Sequence, residues 1–496
     1  MIVLVLCGNR CQQSLPWMTC QLLSWVLHTT PERIGEPATV VINGLLGFSC
    51  SAGRMARRST GTNPMNTTLQ KGRRSNQRER LVAGMIAAAS RDGYARANVS
   101  AVIAEAGVSR PTFYDYFAGK DECFLAALTD VQERLHGEIR ETVREEPSEC
   151  AVQAAVRALI GFATSEPAMA RFLTNESMAG GPRALDARDQ GIAEIERIIE
   201  DRSQRVDPAT AIPDISGRML MGGIYRLLAS RLRRGEPSFS GLLADLLTWV
   251  ESYELPAGEH RWRTLEPGPA PPPSPFLPET PMRAPKALPP GRPRISEEEV
   301  VENQRQRILF AAARLAEEKG YTAATVGDIT KLAGVDGRVF YTMFADKQDA
   351  FMAVHELGFQ RVMAVTAAGF FSGSTWPERS WEAGRAFTQF LESNPTIAHV
   401  GFVEAYAVGP GAVQRVEDSH MAFAMLLQEG YQYAPAGAPP RLALEAIITT
   451  IFEIVYLRAR GSGGPRLSGL LPHMTFLTLA PFSGPVEANR FIDQKL

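Results

Sequence analysis

Side chains that can recognise a base pair lie together at Arg110, Pro111 and Thr112. The guanidinium group of an arginine can donate two hydrogen bonds to the O6 and N7 atoms of guanine in the DNA major groove. The methyl group of Thr112, or the ring of Pro111, can contact the methyl group of thymine. These three neighbouring residues therefore offer both polar and apolar contacts to base edges.

The residues that follow supply groups for the DNA backbone. Tyr114 and Lys120 carry a hydroxyl and an ammonium group, which suit phosphate oxygens and set the register of a protein without reading sequence. Asp115 has two interpretations, since its carboxylate can accept a hydrogen bond from N4 of cytosine or can be a surface acid that phosphate repels. The residue types from Arg110 to Lys120 predict contact with double-stranded DNA.

A helix-turn-helix is the element that would position these side chains. The stretch from Val99 to Ala106 predicts a short helix, and Gly107 lies where the chain must turn sharply. Ser109 can accept hydrogen bonds from the free N–H groups of a second helix, and Pro111 falls in its first turn, where a missing N–H group costs nothing. We expect this second helix to enter the major groove.

The same pattern returns 227 positions later in the chain. The turn glycine, two inward-facing phenylalanines and the following lysine each have a counterpart at this spacing, in the pairs Gly107 and Gly334, Phe113 and Phe340, Phe117 and Phe344, and Lys120 and Lys347. The correspondence continues beyond the heads. Gly181 corresponds to Gly409 at a spacing of 228, because one residue is inserted in the second copy, and Arg231 corresponds to Arg458 at the original spacing of 227. It predicts two copies of one folding unit.

The second copy differs at the positions that would face DNA. Gly337 stands where the first copy has Arg110, and Asp336 replaces Ser109 as the helix cap. Three consecutive glutamates, Glu297–Glu299, precede the second copy, whereas a basic stretch precedes the first. With fewer cations for phosphate groups, the second copy is expected to bind DNA more weakly, or to serve only in dimerisation.

These motifs resemble the tetracycline-repressor (TetR) family of bacterial regulators. The resemblance rests on the run from Gly107 to Phe117 followed by Lys120, on the Gly93-Tyr94 pair before it, and more loosely on the run from Gly334 to Phe344. It implies an all-α fold with two tandem TetR-like units, each a three-helix helix-turn-helix head and a helical body for effector binding and dimerisation. It also implies a DNA face, which comprises Ser100, Arg110, Pro111, Thr112, Tyr114, Asp115, Tyr116 and Lys120 in the first unit and Arg338, Val339, Tyr341, Thr342 and Lys347 in the second.

Composition and the repeat together predict six segments. Residues 1–70 are interpreted as an extension that is disordered or results from a misplaced start codon. The other segments are the first head (71–122), the first body (123–255), a proline-rich linker (256–295), the second head (296–350) and the second body (351–490). The linker is expected to be extended and partly stiff, with few core residues.

The overall composition favours a globular protein of the reducing cytoplasm. Hydrophobic residues make up 45% of the chain, charged residues 21%, and the formal net charge is −2. The six cysteines show neither zinc-ligand nor disulfide-framework spacing, and the apolar patches near the N-terminus are too short for a membrane span. No catalytic motif or metal-ligand cluster is evident, so we predict neither an enzyme nor a cofactor or metal site.

Aromatic residues of the two bodies are candidates for an effector pocket. Phe162 and Trp249 in the first body, with Phe402 and Tyr406 in the second, are expected to line a cavity for a small molecule. The other interpretation places these residues in the hydrophobic core, because aromatic side chains on amphipathic helices usually pack.

The predicted function is that of a sequence-specific DNA-binding transcriptional regulator of the repressor type, released by a small-molecule effector, whose two heads read two half-sites. The alternative is an effector-binding or dimerisation protein in which the second head has lost DNA binding. Two similar bodies joined by a linker have a high effective concentration for each other, so we expect an intrachain pseudo-dimer. A homodimer of two chains with four heads is the other arrangement. No membrane partner is predicted.

Overall fold

Helices form both repeats in the computed structural model, which describes residues 65–204, 207, 210–235, 239–255, 261–279, 281–288, 295–434, 439–461 and 466–496. The first head comprises α1 (Met65–Asp92), α2 (Val99–Ala106) and α3 (Arg110–Tyr114). The first body comprises α4 (Lys120–Glu145), a 3-10 turn (Ser148–Cys150), α5 (Ala151–Ser165), α6 (Pro167–Arg171), a π-helical segment (Phe172–Glu176), α7 (Ser177–Ala179), α8 (Pro182–Ser203), α9 (Gly217–Arg233) and α10 (Ser240–Glu251).

The second repeat has the same order of α-helices and π-helical segment, with 3-10 turns at different places and one additional helix at its end. Its head comprises α11 (Glu297–Lys319), α12 (Val326–Ala333) and α13 (Gly337–Met343). Its body comprises α14 (Lys347–Ser372), α15 (Trp376–Ser393), α16 (Pro395–His399), a π-helical segment (Val400–Glu404), α17 (Ala405–Val408), α18 (Pro410–Leu427), a 3-10 turn (Gln428–Gln432), α19 (Leu442–Arg460), a 3-10 turn (Ser468–Leu470), α20 (Leu471–Ser483) and α21 (Pro485–Lys495).

This architecture confirms the predicted all-α fold with two tandem units. Within the described residues the strands are β1 (Ile212–Pro213) and β2 (Glu254–Leu255), an antiparallel pair in which Ile212 faces Leu255 and Pro213 faces Glu254. The predicted N-terminal extension lies outside the described residues up to residue 64. Residues 65–70 belong to α1, so the first helix begins before position 71, where the first head was predicted to start.

The described part of the proline-rich segment packs mainly against the second repeat and also contacts the first, where the Trp262 N–H donates to Asp214 Oδ1 at 3.2 Å. This differs from the expected linker with few core residues. Trp262 is 5% exposed, its indole N–H donates to Asn489 Oδ1 at 2.8 Å, and its ring stacks on that of Phe476. Further along, Gln389 Nε2 donates to the carbonyl oxygen of Pro272 at 3.1 Å. The described part of this segment, residues 261–279 and 281–288, forms neither helix nor strand, and it is docked rather than free.

The two bodies pack against each other through corresponding helices. Helix α9 of the first body lies against α19 of the second, and the short helices α7 and α17 also meet. The approach is closest at Gly223, where a Cβ atom would lie 2.1 Å from Thr450 Oγ1 and 2.9 Å from the Cα atom of Thr450. Glycine at this position lets the two helix backbones come together.

The two heads differ in how their buried apolar residues connect to the bodies. One continuous hydrophobic cluster contains the cores of the first head, the first body and the second body. The core of the second head, with Ile308, Phe340 and Phe351 among its members, forms a separate cluster. The first head is therefore packed more continuously onto its body than the second head is.

We predict that Gly223→Ala destabilises the protein, because the added methyl group would overlap Thr450 and force the helices apart. The expected decrease in the free energy of unfolding is about 1–3 kcal/mol, as for other overpacked cores. Gly161→Ala is the matched control, since Gly161 lies on an exposed face of α5 and a Cβ atom added there would have no atom within 4 Å. This control should stabilise the protein by about 0.4–1 kcal/mol. Equal effects of both substitutions in denaturant-unfolding curves would contradict the close approach.

Candidate DNA-binding interface

Capping interactions hold the helix-turn-helix of the first head. The side chain of Asn98 accepts a hydrogen bond from the Ala101 N–H at 3.0 Å, which caps α2. Gly107 ends that helix with a φ of +59°, a conformation that favours glycine. Ser109 Oγ accepts from the Thr112 N–H at 3.3 Å and caps α3, as the sequence predicts. Short-range signals therefore set the orientation of the recognition helix.

Packing beneath the recognition helix leaves its other side free for DNA. Phe113 is fully buried and Phe117 is 4% exposed, so both pack inward as predicted. Arg110 and Asp115 are exposed, and Tyr114 is 50% exposed. Pro111 and Ser100 are also exposed, so most of the predicted contact residues lie on the accessible surface of the head.

Three predicted contact residues have partners within the head. Thr112 Oγ1 shares a hydrogen bond of 2.8 Å with the hydroxyl oxygen of Ser109, and the Tyr116 hydroxyl donates to Gln77 Oε1 at 3.2 Å. The Lys120 ammonium donates to the Tyr94 carbonyl oxygen at 3.1 Å and lies 4.2 Å from the centre of the Tyr94 ring. Partial burial lowers the pKa of Lys120. Lys120 thus ties the start of α4 to the turn after α1, and an ammonium group has further N–H donors beyond the one used here.

The second head repeats this framework with a different surface. Asp336 caps α13 by accepting from the Arg338 N–H at 2.8 Å. Arg338 and Thr342 are exposed and Tyr341 is 62% exposed, whereas Val339 is half-buried. Lys347 donates to the Tyr321 carbonyl oxygen at 2.9 Å and lies 4.2 Å from the ring of Tyr321, so it repeats the arrangement of Lys120.

The substitution of arginine by glycine at position 337 has no packing cause. No atom lies within 4 Å of the position that a Cβ atom of Gly337 would occupy. A side chain there would project into open space, as Arg110 does in the first head. The difference between the heads at this position therefore concerns the recognition surface rather than the stability of the fold.

An arginine of the first helix in each head holds the turn, which the sequence did not reveal. Arg80 Nη2 donates to the Gly107 carbonyl oxygen at 2.9 Å, and Arg307 Nη2 donates to the Gly334 carbonyl oxygen at 3.1 Å. The two arginines are separated by 227 positions, like the turns that they contact. That shared spacing is the signal that could have identified them.

Glutamates of the bodies connect to both heads in the same way. Glu176 Oε2 accepts a hydrogen bond from the Tyr94 N–H at 2.6 Å, and Glu404 Oε2 accepts from the Tyr321 N–H at 2.7 Å. Each glutamate is the last residue of a π-helical segment. Burial raises the pKa of Glu176. We call these two contacts the head–body latches.

Each latch reaches the turn that ends the first helix of its head. Gly93 has a φ of +81° and Gly320 a φ of +82°, and both turn the chain just before the tyrosine whose N–H is bound. π-Helical segments inside α-helices occur frequently at functional sites. Each latch is therefore a polar connection between a body and the turn of its head.

The predicted effector-pocket residues do not line one common cavity. Phe162 and Trp249 are buried in the hydrophobic core of the first body. Phe402 lines a cavity of about 30 Å³ in the second body. Tyr406 lines a cavity of about 10 Å³ between the bodies. A groove of about 560 Å³ lies where the docked proline-rich segment meets the second head.

An apolar cavity elsewhere in the second body is larger than the two cavities that Phe402 and Tyr406 line. It has a volume of about 60 Å³ and is lined mainly by aromatic and aliphatic side chains, among them Phe370, Phe387, Phe423, Phe452 and Met474. Ser380 also lines it, and the buried Ser380 hydroxyl has no hydrogen-bond partner. We call this space the apolar cavity.

Neither a metal cluster nor a membrane span is present in the described part of the chain. Among the described residues, no three His, Cys, Asp or Glu side chains are grouped so that they could hold a metal ion. None of the helices formed by these residues is long and apolar enough to cross a membrane.

Comparisons with known proteins match both heads. The family model described as bacterial regulatory proteins, tetR family, matches residues 84–127 and 308–354. A nucleoid occlusion factor SlmA from Marinomonas sp. (strain MWYL1) is 29% identical over 126 residues, which cover 24% of this chain and 64% of the relative. The SlmA of Glaesserella parasuis serovar 5 (strain SH0165) is 29% identical over 99 residues, which cover 20% of this chain and 49% of that protein. The chain thus spans less than two thirds of the curated relatives it matches.

Solved structures also show similarity. The fatty acid degradation regulator FadR from Bacillus halodurans is 21% identical to this chain. The match covers 35% of this chain and 94% of the FadR chain, with a TM-score of 0.33.

We predict that Glu176→Ala releases the first head from its body. The Tyr94 N–H would lose a hydrogen bond to a charged acceptor, an interaction that contributes about 1.5–3 kcal/mol. Hydrogen exchange at the Tyr94 amide should become roughly 10- to 100-fold faster, while exchange at the Tyr321 amide stays unchanged. Glu404→Ala is the matched control and should show the reverse pattern. Unchanged protection of Tyr94 in Glu176→Ala would show that the latch does not hold the head.

Proposed function

We propose that this chain, which matches the model of the tetR family of bacterial regulatory proteins in each repeat, is a tandem TetR-type transcriptional repressor that binds one operator sequence-specifically with two unlike heads. The observation that carries this proposal is the pair of capped helix-turn-helix motifs at equal positions of the repeat, each with an exposed recognition surface. Exposed Arg110 in the first head and exposed Arg338 in the second supply the groups that read guanine.

The packing of the bodies supports one chain as the binding unit. Corresponding helices α9 and α19 pair within the chain, as the dimerisation helices of two identical subunits would pair between chains. One chain then presents two heads, which is the number that a two-part operator requires. Because the recognition surfaces differ, the operator is expected to have two unlike half-sites.

We further propose that the apolar cavity binds the effector. Its lining is almost wholly hydrophobic, and the unpartnered Ser380 hydroxyl can hydrogen bond to one polar group of a ligand. Helix α14, which follows the second head directly, contributes Thr366 and Phe370 to the lining. A ligand that moves this helix would therefore displace the head that precedes it.

The alternative, in which the second head no longer binds DNA, has specific support. Gly337 removes a cation that packing would permit, and Glu297, Glu298 and Glu299 place negative charge at the start of α11. Phosphate repels such charge. A comparison of equivalent substitutions in the two heads distinguishes the two functions.

We predict that Arg110→Ala reduces discrimination between selected and random DNA by about 1–3 kcal/mol, the contribution of a bidentate arginine–guanine contact. The DNA would be fragments that the wild-type protein selects from a random-sequence library, and binding would be measured by fluorescence anisotropy at fixed salt concentration. Arg338→Ala should produce a comparable loss at the other half-site.

The controls separate recognition from stability. Both variants should retain the unfolding temperature of the wild-type protein, because both arginines are exposed. An effect of Arg110→Ala alone would favour the alternative function, and equal losses on selected and random DNA would contradict base recognition by Arg110.

We predict that xenon, an apolar probe small enough for a cavity of about 60 Å³, raises the unfolding temperature of the wild-type protein and that Ala383→Leu abolishes this increase. Ala383 lines the apolar cavity and is 8% exposed, so a larger side chain would occupy the space of the ligand. Ala244→Leu, on an exposed face of α10, is the control that should leave the increase intact. Equal increases in both variants would place the probe outside the apolar cavity.

A further inference from the structure

The centre of the body–body interface joins residues at corresponding positions of the two repeats. Gly223 lies against Thr450 and Arg226 against Glu453, and the members of each pair are separated by 227 positions. Since corresponding residues meet, this part of the interface lies on an approximate twofold axis. In a symmetric pair of identical bodies, each of these residues would face its own copy.

We propose that opposite charges at corresponding positions make each body accept only the unlike body as its partner. This inference rests on the intrachain pairing proposed above and identifies the residues that determine it. The first body thus requires a partner with a buried carboxylate at the twofold axis. The second body supplies this carboxylate, and a second copy of the first body does not.

Three buried charges form the centre of the interface. Arg188 donates two hydrogen bonds to the Glu453 carboxylate, from Nη1 to Oε1 and from Nη2 to Oε2, each at 2.9 Å. Arg226 Nε donates to Glu453 Oε2 at 2.6 Å, and its Nη1 donates to the Tyr406 hydroxyl at 2.6 Å. The side chains of Arg188, Arg226 and Glu453 are 2%, 5% and 1% exposed. One carboxylate therefore serves two guanidinium groups that water cannot reach.

Pairing of like bodies would leave these charges without partners. Val416 corresponds to Arg188 in the second repeat, at the spacing of 228 that follows the inserted residue. Two first bodies would therefore bring together two copies each of Arg188 and Arg226, with Asp189 as the nearby carboxylate and no counterpart of Glu453. Two second bodies would bury two copies of Glu453 without an arginine at either position. An unpaired charge is strongly unfavourable in a buried site.

A contact nearer the edge of the interface also disfavours a pair of first bodies. Arg231 Nη2 contacts Glu445 Oε2 at 2.5 Å. The residue that corresponds to Glu445 in the first repeat is Arg218, again at a spacing of 227. In a pair of first bodies Arg231 would face an arginine instead of a glutamate, so the like pair would be disfavoured here as well.

Two other ion pairs support pairing without discriminating. Arg233 contacts Glu417 at 2.6 Å, and Arg460 contacts Asp189 at 3.3 Å. Arg233 corresponds to Arg460 and Asp189 corresponds to Glu417, so these are the same contact on the two sides of the axis. Such a contact would be attractive between any two bodies. Selection against a pair of first bodies therefore depends on the charges that differ between the repeats, at positions 218, 226, 445 and 453. Selection against a pair of second bodies depends on the buried carboxylate of Glu453.

The test changes the partner preference in the full-length chain. In the double variant Arg218→Glu and Arg226→Glu, two first bodies become complementary, because Arg188 and Arg231 of one chain would meet the new carboxylates of another. Within one chain the carboxylate at position 226 would face Glu453. We expect the wild-type protein to sediment with the mass of one chain and the double variant to form dimers of chains, with self-association at least tenfold stronger.

Three controls accompany this variant. Arg218→Glu alone leaves the centre of the interface intact and should keep the mass of one chain. Glu453→Gln removes the shared carboxylate without making like bodies complementary, so it should lower the unfolding temperature without producing dimers. The charge exchange Arg226→Glu with Glu453→Arg should restore pairing within one chain and unfold at a higher temperature than either single variant.

The outcomes separate this inference from the proposed function. A folded double variant that keeps the mass of one chain would overturn the inference and leave intrachain pairing in place. If the double variant does not fold, the charge exchange decides. An unfolding temperature of the exchanged variant that is no higher than those of its single variants would then overturn the inference. A wild-type protein that sediments as a dimer of chains joined through like bodies would contradict the intrachain pairing of the proposed function itself.

Discussion

The ion cluster of Arg188, Arg226 and Glu453 is the constraint on which the arrangement of the two repeats depends. Burial alone would raise the pKa of the Glu453 carboxyl group, but the two arginines outweigh this effect and hold it at about 2. Each charge is acceptable in this nearly water-free site only because the others are present. The cluster joins α8 and α9 of the first body to α19 of the second. It therefore defines which surfaces of the bodies can meet.

The positions of the heads follow from the pairing of the bodies. Each body holds the turn of its head through a glutamate that ends a π-helical segment, at Glu176 and at Glu404. Tyr406 lies two residues beyond the second of these glutamates and accepts a hydrogen bond from Arg226. The interface and the second latch thus share one short stretch of chain, from Glu404 to Tyr406.

The two heads differ in how they pack as well as in charge. In the first repeat the rings of Tyr94, Phe124 and Phe172 contact one another in sequence, with centroid separations of 4.3 and 4.9 Å. In the second repeat Tyr321 contacts Phe351 at 4.6 Å, but Val400 corresponds to Phe172 and the chain of rings ends there. Val400 belongs to the separate hydrophobic cluster that contains the core of the second head. The second head is therefore joined to its body by a shorter chain of aromatic contacts than the first head is.

The sequence by itself determined the elements whose interactions are local. The helix-turn-helix motifs were predictable because their caps, turn glycines and inward-facing phenylalanines lie within a few residues of one another, as Ser109, Gly107 and Phe113 do. The repeat was predictable because its spacing is constant. Only the tertiary structure decided that Lys120 contacts Tyr94, that Trp262 docks the proline-rich segment, and that Arg226 meets Glu453. These partners are distant in the chain, so no local pattern identifies them, and a charged residue in a helix looks the same in sequence whether it faces water or an opposite charge in a buried interface.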